Sequence, residues 1–325
     1  MRSITLSNKI TLPIFLEFVE IRTKLASLFP MLIGFLWTYY FYGQFNWLNS
    51  LVFFLGALVF DMCVTSINNT MDFHKAISLD YKNEENVIGR NGLDFKIMVK
   101  IVFVLLALSL LFNLGLVFLT DPILLAIGAV CYVIGILYTF GPVPISRTPY
   151  GEFLSGLTMG FGIFFLAVFM TMYKDILYTN WTGHKVILIA NWFELIRIFL
   201  MSIPLVCLIA NIMLANNLRD LERDLENQRY TLVSYIGRDL GVKFYMLLSA
   251  LPWVFWLTYI ISGQFPIWAL VALIGIYPHY QIVQIFVQKI KLAETRKAAF
   301  PQALKAFMLF SVIYLISLVL MIIFK

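Results

Sequence analysis

Long apolar runs separated by short polar segments dominate this chain from about residue 25 to its last residue. Residues 101–120, for example, contain no charged side chain. A helix needs about 20 apolar residues to cross a bilayer core, and runs of this length exclude the shorter strands of a membrane barrel. The pattern predicts nine transmembrane helices, at 25–46, 47–68, 98–118, 121–140, 152–172, 194–216, 243–263, 265–285 and 303–324.

Composition supports this interpretation. Hydrophobic residues make up 61% of the 325 residues and charged residues only 13%, whereas a soluble domain carries about 25% charged residues. We therefore expect an all-α, polytopic membrane protein with a single domain over 1–325. Residues 1–24 are charged and lack the apolar core of a cleavable leader, so they predict a short cytoplasmic segment with an interfacial helix at 12–23. Three cysteines inside the runs are expected to be packing residues: Cys63, Cys131 and Cys207.

Basic residues are distributed unevenly between the polar segments. With the N-terminus in the cytoplasm, 20 of the 24 Lys and Arg residues lie on the inner side and 4 on the outer side. Cytoplasmic loops of membrane proteins are enriched in Lys and Arg, so this asymmetry supports the predicted spans and their orientation. It explains the net charge of +6 without a nucleic-acid partner. The prediction is a multi-pass protein of the cell membrane whose main polar segments face the cytoplasm.

Two of these polar segments resemble each other. At an offset of 148 residues, Asn68–Asp72 aligns with Asn216–Asp220, and Ile88–Asn91 aligns with Ile236–Asp239. The same offset carries the second predicted span onto the sixth, in the same direction along the chain. We interpret this as a parallel internal repeat, and chance similarity between two polar segments is the alternative.

The repeated Asn-x-x-x-Asp spacing points to metal binding. Residues four apart share a helix face, so Asn68 and Asp72 would present their oxygens in one direction. Asn216, Asp220 and Asp224 repeat this spacing. Such oxygens suit Mg²⁺, which completes its shell with phosphate oxygens and water, and two facing clusters would hold a diphosphate. Basic side chains would take the remaining phosphate charge: Arg22, Lys24, Lys75, Arg90, Arg219, Arg223 and Arg238.

A solvated helix face is the simpler interpretation for four of these charged positions, Arg219, Glu222, Arg223 and Glu226. For the Asn and Asp residues of the motifs we favour a functional role instead. They extend from membrane spans, where uncompensated polar groups are costly and usually functional. A transporter is the hypothesis of a different class. Its binding site would usually lie near the bilayer midplane, whereas the polar residues here cluster at one membrane face.

Asn216–Asp220, followed by Asp224, Asn227 and Thr231, resembles the second Asp-rich motif of the UbiA-type intramembrane prenyltransferases. Residues 68–72 resemble the first motif, and residues 138–152 resemble the segment that enters the fifth helix. The resemblance covers about 15–325 and is closest to the branch that prenylates 1,4-dihydroxy-2-naphthoate in menaquinone synthesis. One departure is Ala76, which stands where many relatives have a further Asp. Asp80 is therefore the expected third ligand of the first cluster, with Glu84 behind it.

This resemblance implies nine helices around a central cavity and a Mg²⁺-dependent transfer of a polyprenyl group from polyprenyl diphosphate to an aromatic quinone precursor. The expected acceptor is 1,4-dihydroxy-2-naphthoate, which would lose its carboxylate and give demethylmenaquinone. Another aromatic acceptor, such as 4-hydroxybenzoate, is the alternative. The resemblance predicts no oligomeric state. The catalytic residues it implies are Asp72, Asp220, Asp224 and Tyr138, and the metal ligands are Asn68, Asp72, Asp80, Asn216, Asp220 and Asp224.

Four further polar residues lie near these motifs or near the inner ends of predicted spans. Tyr138 would stabilise the reacting groups or serve as an interfacial tyrosine. Asp61, seven residues before the first motif, would support the site or form a buried hydrogen bond. Glu152 is expected to be a structural partner of Arg147. His74, beside Asp72, is expected to be a solvated loop residue, and phosphate binding is its alternative.

Overall fold

The computed structural model describes residues 10–76 and 81–325, and these residues fold almost entirely into helices. Each predicted apolar run falls on a helix, which confirms the helical membrane architecture. Within the described ranges, eight helical elements are long and apolar enough to cross a membrane, where nine are predicted; the fourth run forms a shorter helix, Ile123–Thr139. The eight are Ile21–Tyr42, Trp47–Lys75, Phe95–Leu119, Gly151–Ile176, Trp192–Glu226, Leu232–Ile261, Ile267–Lys291 and Arg296–Ile323.

Several of these elements change helix type along their length. Ile21–Lys24 and Ile267–Gly275 are 3₁₀-helical entries, and Gly156–Gly162 is a π-helical stretch. Such stretches mark places where the backbone adapts to close packing or to a site. In chain order the α-helices are α1 (Leu12–Phe18), α2 (Leu25–Tyr42), α3 (Trp47–Lys75), α4 (Val87–Arg90), α5 (Phe95–Leu119), α6 (Ile123–Thr139), α7 (Gly151–Ser155), α8 (Ile163–Ile176), α9 (Trp192–Glu226), α10 (Leu232–Ile261), α11 (Ile276–Lys291) and α12 (Phe300–Ile323).

A β-hairpin interrupts the otherwise helical chain between α8 and α9. Strands β1 (Leu177–Thr182) and β2 (Lys185–Ala190) pair antiparallel, with Thr182 opposite Lys185. The connection therefore has two residues, and the first of them, Gly183, has a φ of 55°. Glycine at that position is the signature of a tight hairpin turn. The sequence analysis did not predict this hairpin, because a short turn signal decides this local structure.

One compact unit comprises the described residues of 10–25 and of 48–144. In it, Asn113 Nδ2 of α5 donates to the Tyr132 hydroxyl of α6 at 3.0 Å, and that hydroxyl donates to Ser109 Oγ at 2.9 Å. Hydrogen bonds of this kind join helices inside a bilayer. The buried core of the unit gathers side chains from α1, α3, α4 and α5: Phe18, Val19, Cys63, Val87, Ile88, Leu93, Met98 and Leu105.

The other compact unit comprises 26–47 and 145–325 and is built around α9. This 35-residue helix packs against α7, α8, α10, α12 and the π-helical stretch Gly156–Gly162. The approach is close, because a Cβ added at Gly160 would lie only 2.6 Å from Val206 N and Cα. Small residues at such crossings allow helix backbones in a membrane to touch. The length and packing of α9 place the second Asn-x-x-x-Asp motif at its C-terminal end.

The polar segments that follow the second and the sixth predicted spans are partly helical. Helix α3 continues to Lys75 and α9 continues to Glu226, so both Asn-x-x-x-Asp motifs lie on helices. The aligned segments then differ: Ile88–Arg90 belongs to α4, whereas α10 is broken at Gly237, where φ is 76°. The internal repeat therefore stays a prediction.

Candidate active site

The first Asn-x-x-x-Asp motif lies on the last two turns of α3. Asn68 and Asp72 are partly buried, whereas Lys75 at the helix end is exposed. Asp80, the expected third ligand, lies outside the described residues, and Glu84 is exposed. The motif therefore offers one amide oxygen and one carboxylate, a helical turn apart.

Asn69 ties this motif to the N-terminal segment. Its Nδ2 donates to the Phe18 carbonyl at 2.8 Å and to Glu20 Oε1 at 3.3 Å. Its own carbonyl accepts from Asn86 Nδ2 at 3.0 Å, and Asn86 caps α4 by accepting from the Ile88 N–H at 2.9 Å. Side chains at helix starts stabilise the helix in this way. The bonds hold α1, α3 and α4 together beside the motif.

Lys24 is buried and paired with Asp61. Its ammonium donates to Asp61 Oδ1 at 2.7 Å, to the Asp61 carbonyl at 3.1 Å and to Thr65 Oγ1 at 2.5 Å. A lysine has three donors, and these contacts engage all three. Asp61 thus forms a buried ion pair, one of its two expected roles. The phosphate-binding role of Lys24 stays a prediction, and it would require exchange of the Asp61 contacts.

The other cations predicted in this unit lie nearer the surface. Arg90 forms an ion pair with Glu17, and both side chains are nearly half exposed. Arg22 and Lys75 are exposed. Exposed ion pairs contribute little stability, so Arg90 can exchange its partner at small cost. A phosphate-binding role for these cations stays a prediction.

Glu20 is a partly buried carboxyl beside the first motif, just outside the membrane-spanning helix. Burial is the main cause that raises the pKa of Glu20 above its ordinary 4.5, and Asp72 and Asp61 add to the effect. Lys24 and the hydrogen bond from Asn69 oppose it. The folded protein therefore holds this proton more tightly than the unfolded chain does. Stability from Glu20 is present below about pH 4.5 and is lost as the pH rises through the folded-state pKa.

Glu20→Gln is expected to remove this pH dependence. Glutamine keeps an oxygen for Asn69 but carries no charge to desolvate. The unfolding temperature of the variant should therefore rise relative to that of the wild type as the pH rises from 4 to 7. The measurement is the unfolding temperature of both proteins in detergent at a series of pH values. Parallel curves for the two proteins would contradict the raised pKa of Glu20.

The second motif presents converging oxygens at the end of α9. Arg219 Nη2 donates to Asn216 Oδ1 at 2.6 Å and to Asp220 Oδ2 at 2.5 Å, and Arg219 Nε donates to Asp220 Oδ1 at 2.9 Å. Arg223 Nη2 also reaches Asp220 Oδ2, at 2.9 Å. Because two oxygens from different residues meet at one nitrogen, they converge as the ligands of one cation would. The chemistry of this donor set fits a hard divalent metal.

Asp224 lies deeper than Asp220 and has a different partner. Its side chain is 3% exposed, and its Oδ1 lies 3.4 Å from Arg229 Nη1. The chain reverses here through hydrogen bonds from Arg229 N to the Asp224 carbonyl and from Gln228 N to the Leu225 carbonyl, with Gln228 at a φ of 55°. This is the Schellman helix ending. It returns Arg229 to the carboxylate of Asp224.

Glu152 pairs with Asn217, not with Arg147 as expected. Asn217 Nδ2 donates to Glu152 Oε1 at 2.8 Å, and both residues are buried. The expectation was wrong because nearness in sequence suggested Arg147, whereas the packing of α7 against α9 brings Asn217 to Glu152. Asn217 is the second residue of the motif, so this contact connects α7 directly to it.

Arg238 belongs to a surface network near the same end of α9. It donates to both carboxylate oxygens of Glu222, at 2.9 and 2.7 Å, and to the Leu218 carbonyl at 3.3 Å. Arg296 also binds Glu222, at 2.9 Å. Glu222 is 57% exposed, in accordance with the solvated-face interpretation of that position. A phosphate-binding role for Arg238 stays a prediction.

Comparison with known proteins identifies this arrangement. The sequence model of the "UbiA prenyltransferase family" matches residues 27–312. The chain belongs to the UbiA prenyltransferase family. It is 28% identical to a 1,4-dihydroxy-2-naphthoate octaprenyltransferase of Bacillus subtilis (strain 168), over 82% of this chain and 79% of that protein. A protein of the same name from Mycobacterium tuberculosis is 25% identical over 65% of this chain and 72% of its own length.

Solved UbiA structures share the fold. A UbiA homolog from Aeropyrum pernix K1 in its apo form superimposes with a TM-score of 0.64 at 12% identity, over 90% of this chain and 97% of that one. A UbiA homolog from Archaeoglobus fulgidus, bound to DMAPP and Mg²⁺, gives a TM-score of 0.59 at 13% identity, over 95% and 98% of the two chains. The UbiA chain described here is therefore a multi-pass membrane enzyme, a prenyltransferase, and the transporter hypothesis is not retained.

Each UbiA motif combines few carboxylates with amide oxygens. In 10–76 and 81–325, no group of three or more His, Cys, Asp and Glu side chains lies close enough together to hold a metal ion. A cation bound by Asn216 and Asp220 would therefore draw its remaining ligands from phosphate and water, as Mg²⁺ commonly does. Tyr138, in the last turn of α6, is partly buried, and its catalytic role stays a prediction.

Sequence reasoning missed two polar residues at or beside the second motif of this UbiA chain, Asn217 and Arg229, and the contact between Asn217 and Glu152. Only Asn217 had a local signal, because it belongs to the repeated Asn-Asn pair. Arg229 and Glu152 are 77 residues apart in the chain, and periodicity carries no information about such pairs. Their roles follow from the helix ending after α9 and from the packing of α7.

Proposed function

We propose that this UbiA enzyme transfers a polyprenyl group from polyprenyl diphosphate to 1,4-dihydroxy-2-naphthoate with loss of the carboxylate as CO₂, and yields demethylmenaquinol, the hydroquinone form of demethylmenaquinone. The observation that carries the choice of acceptor is the similarity, over most of both chains, to the Bacillus subtilis 1,4-dihydroxy-2-naphthoate octaprenyltransferase. The two mycobacterial relatives with that name support it. The converging oxygens of Asn216 and Asp220 support a metal-assisted departure of diphosphate.

The metal of this proposal is Mg²⁺, in keeping with the Archaeoglobus fulgidus homolog bound to DMAPP and Mg²⁺. When bound, Mg²⁺ would supply positive charge to the departing diphosphate. Asn68, Asp72 and Asp80 would hold it at the first motif, and Asn216, Asp220 and Asp224 at the second. The cations proposed to contact the diphosphate are Arg22, Lys24, Lys75, Arg90, Arg219 and Arg238.

The proposed reaction breaks the allylic C–O bond, whose electron pair leaves with the diphosphate. An aromatic carbon of the acceptor then attacks the prenyl cation and forms a C–C bond. The carboxylate at that carbon departs as CO₂, and its bonding pair restores the aromatic ring. Basic side chains of the protein would stabilise the developing negative charge, Tyr138 would stabilise the prenyl cation or the acceptor, and the membrane helices would keep water from the cation.

The direction of the site in the membrane follows from the charge distribution. Because 20 of the 24 Lys and Arg residues fall on one side of the predicted spans, we place both motifs on the cytoplasmic side of the cell membrane. A water-soluble diphosphate head would then enter from the cytosol while its prenyl tail remains in the bilayer.

Purified protein in lipid nanodiscs, supplied with Mg²⁺ and a labelled polyprenyl diphosphate, tests this function. With 1,4-dihydroxy-2-naphthoate we expect a prenylated, decarboxylated product, detected by chromatography and mass spectrometry. EDTA should abolish its formation and added Mg²⁺ should restore it. If product forms only with 4-hydroxybenzoate, the assignment of 1,4-dihydroxy-2-naphthoate as the acceptor is refuted and the prenyl-transfer activity stands. Full activity in EDTA would refute the metal dependence.

A further inference from the structure

Glu152 and Asn217 form a buried polar pair between α7 and α9. Their side chains hydrogen-bond at 2.8 Å, and the residues are only 4% and 2% exposed. A carboxyl group buried among membrane helices is costly even when it is paired, and apolar residues would join two helices at least as well. Packing alone therefore gives no account of this pair.

A second link joins the same two parts of the chain. Arg229 Nη2 donates to the Ser146 carbonyl at 3.1 Å, and Ser146 lies six residues before Glu152. Arg229 Nη1 lies 3.4 Å from Asp224 Oδ1. Glu152 in turn lies close enough to Arg229 and Asp224 to interact with both electrostatically. The carboxylate of Asp224 thus lies beside two independent links between α9 with its following turn and residues 146–152: the Glu152–Asn217 hydrogen bond and the Arg229–Ser146 hydrogen bond.

Glu152, Asn217, Asp224 and Arg229 each keep one buried polar atom that has no hydrogen-bond partner within the protein. Buried polar atoms are normally hydrogen-bonded, and four in one group indicate a place where a hydrated ligand would supply the missing hydrogen bonds. Three of the four are oxygens of the kind that accept hydrogen bonds from metal-bound water. The atoms are Glu152 Oε2, Asn217 Oδ1, Asp224 Oδ2 and Arg229 Nε.

We propose that Glu152, Asn217 and Arg229 are positioning residues of the second motif. They fix the carboxylate of Asp224 and accept or donate hydrogen bonds to the water shell of the cation that Asp224 would help to hold. This inference rests on the proposed function, because it presumes a divalent metal at the second motif. It extends that site to α7 and to the turn after α9, neither of which supplies a metal ligand in the proposed function.

The affinity of the protein for Mn²⁺ tests the proposal without any acceptor. It is measured by electron paramagnetic resonance on the whole protein in detergent, in the presence of an unreactive prenyl thiodiphosphate. Partners of metal ligands typically change metal affinity by about 10- to 100-fold. We therefore expect Glu152→Ala and Arg229→Gln each to weaken Mn²⁺ binding by at least about 10-fold. Glu152→Gln, which retains an oxygen for Asn217 Nδ2 but loses the acceptor at Oε2, should bind Mn²⁺ with an affinity between those of Glu152→Ala and the wild type. The matched control is Glu226→Ala, which removes an exposed carboxylate from α9, the helix that carries Asp224.

The outcomes separate this inference from the proposed function. If Glu152→Ala and Arg229→Gln both bind Mn²⁺ with wild-type affinity while Asp224→Ala binds it weakly, the positioning role is refuted and the metal site stands. If Asp224→Ala itself binds Mn²⁺ normally, the metal role of Asp224 is refuted together with the inference. Should Glu152→Ala fail to fold, Arg229→Gln carries the test, and wild-type Mn²⁺ affinity in that variant refutes the positioning role.

Discussion

Replacement of Asp220 by alanine is expected to slow prenyl transfer by at least about 10²–10³-fold while leaving the protein folded. Its two carboxylate oxygens lie against Arg219 and Arg223, and one of them meets the amide oxygen of Asn216 at a single nitrogen. Loss of one group that stabilises developing charge usually costs this much in rate. Asp220 is only 11% exposed at its side chain, so its carboxylate is largely shielded from solvent.

The rate is measured with saturating acceptor over a range of Mg²⁺ concentrations, and the unfolding temperature is measured alongside it. Glu226→Ala removes an exposed carboxylate from the same helix and should leave the rate within about twofold of the wild type, as surface substitutions away from a site usually do. An Asp220→Ala rate within tenfold of the wild type would contradict the assignment of this residue.

Gly160→Ala is expected to destabilise the protein by about 3 kcal/mol or more, the upper end of the cost of overpacking. The added Cβ would lie 2.6 Å from Val206 N and Cα and 2.9 Å from the carbonyl carbon of Leu205. These are backbone atoms of α9, which cannot rotate away as a side-chain tip can. Relief would require the π-helical stretch to move away from the helix that carries the second motif.

Gly115→Ala provides the matched control, because a Cβ at Gly115 in α5 would meet nothing within 4 Å. Alanine there should be neutral or slightly stabilising. Thermal unfolding in detergent, followed by size-exclusion chromatography of the surviving protein, compares the two variants. Equal unfolding temperatures for Gly160→Ala and the wild type would contradict the close approach at Val206.

The sequence predicted the helices well because their signal is local. The length of the apolar runs alone located the membrane helices. The four-residue spacing of Asn216 and Asp220 predicted that their oxygens point in one direction, and both oxygens accept a hydrogen bond from Arg219 Nη2. The hairpin was missed because its strands are short and their turn rests on Gly183. The ends of α3 and α9 were also missed, because a polar segment after an apolar run can either continue the helix or form a loop.

The contacts that sequence could not predict join distant parts of the chain. Lys24 and Asp61 are 37 residues apart, and Glu152 and Asn217 are 65 apart. Spacing along the chain does not say which buried charge will meet which partner, and Arg147 was the wrong partner for Glu152 for that reason. Burial and helix packing decide these pairs. The catalytic and ligand roles of the site residues stay predictions that the experiments above address.

The turn after α9 has a consequence for the tolerance of the chain to insertions and deletions. Most loops accept extra residues at little cost. Here the backbone of Arg229 must bond to the Asp224 carbonyl while its side chain reaches Ser146, and one residue more or fewer between Asp224 and Arg229 would break both contacts. Related sequences that keep this site should therefore vary in the identity of Gln228 but not in the length of the connection from Asp224 to Arg229.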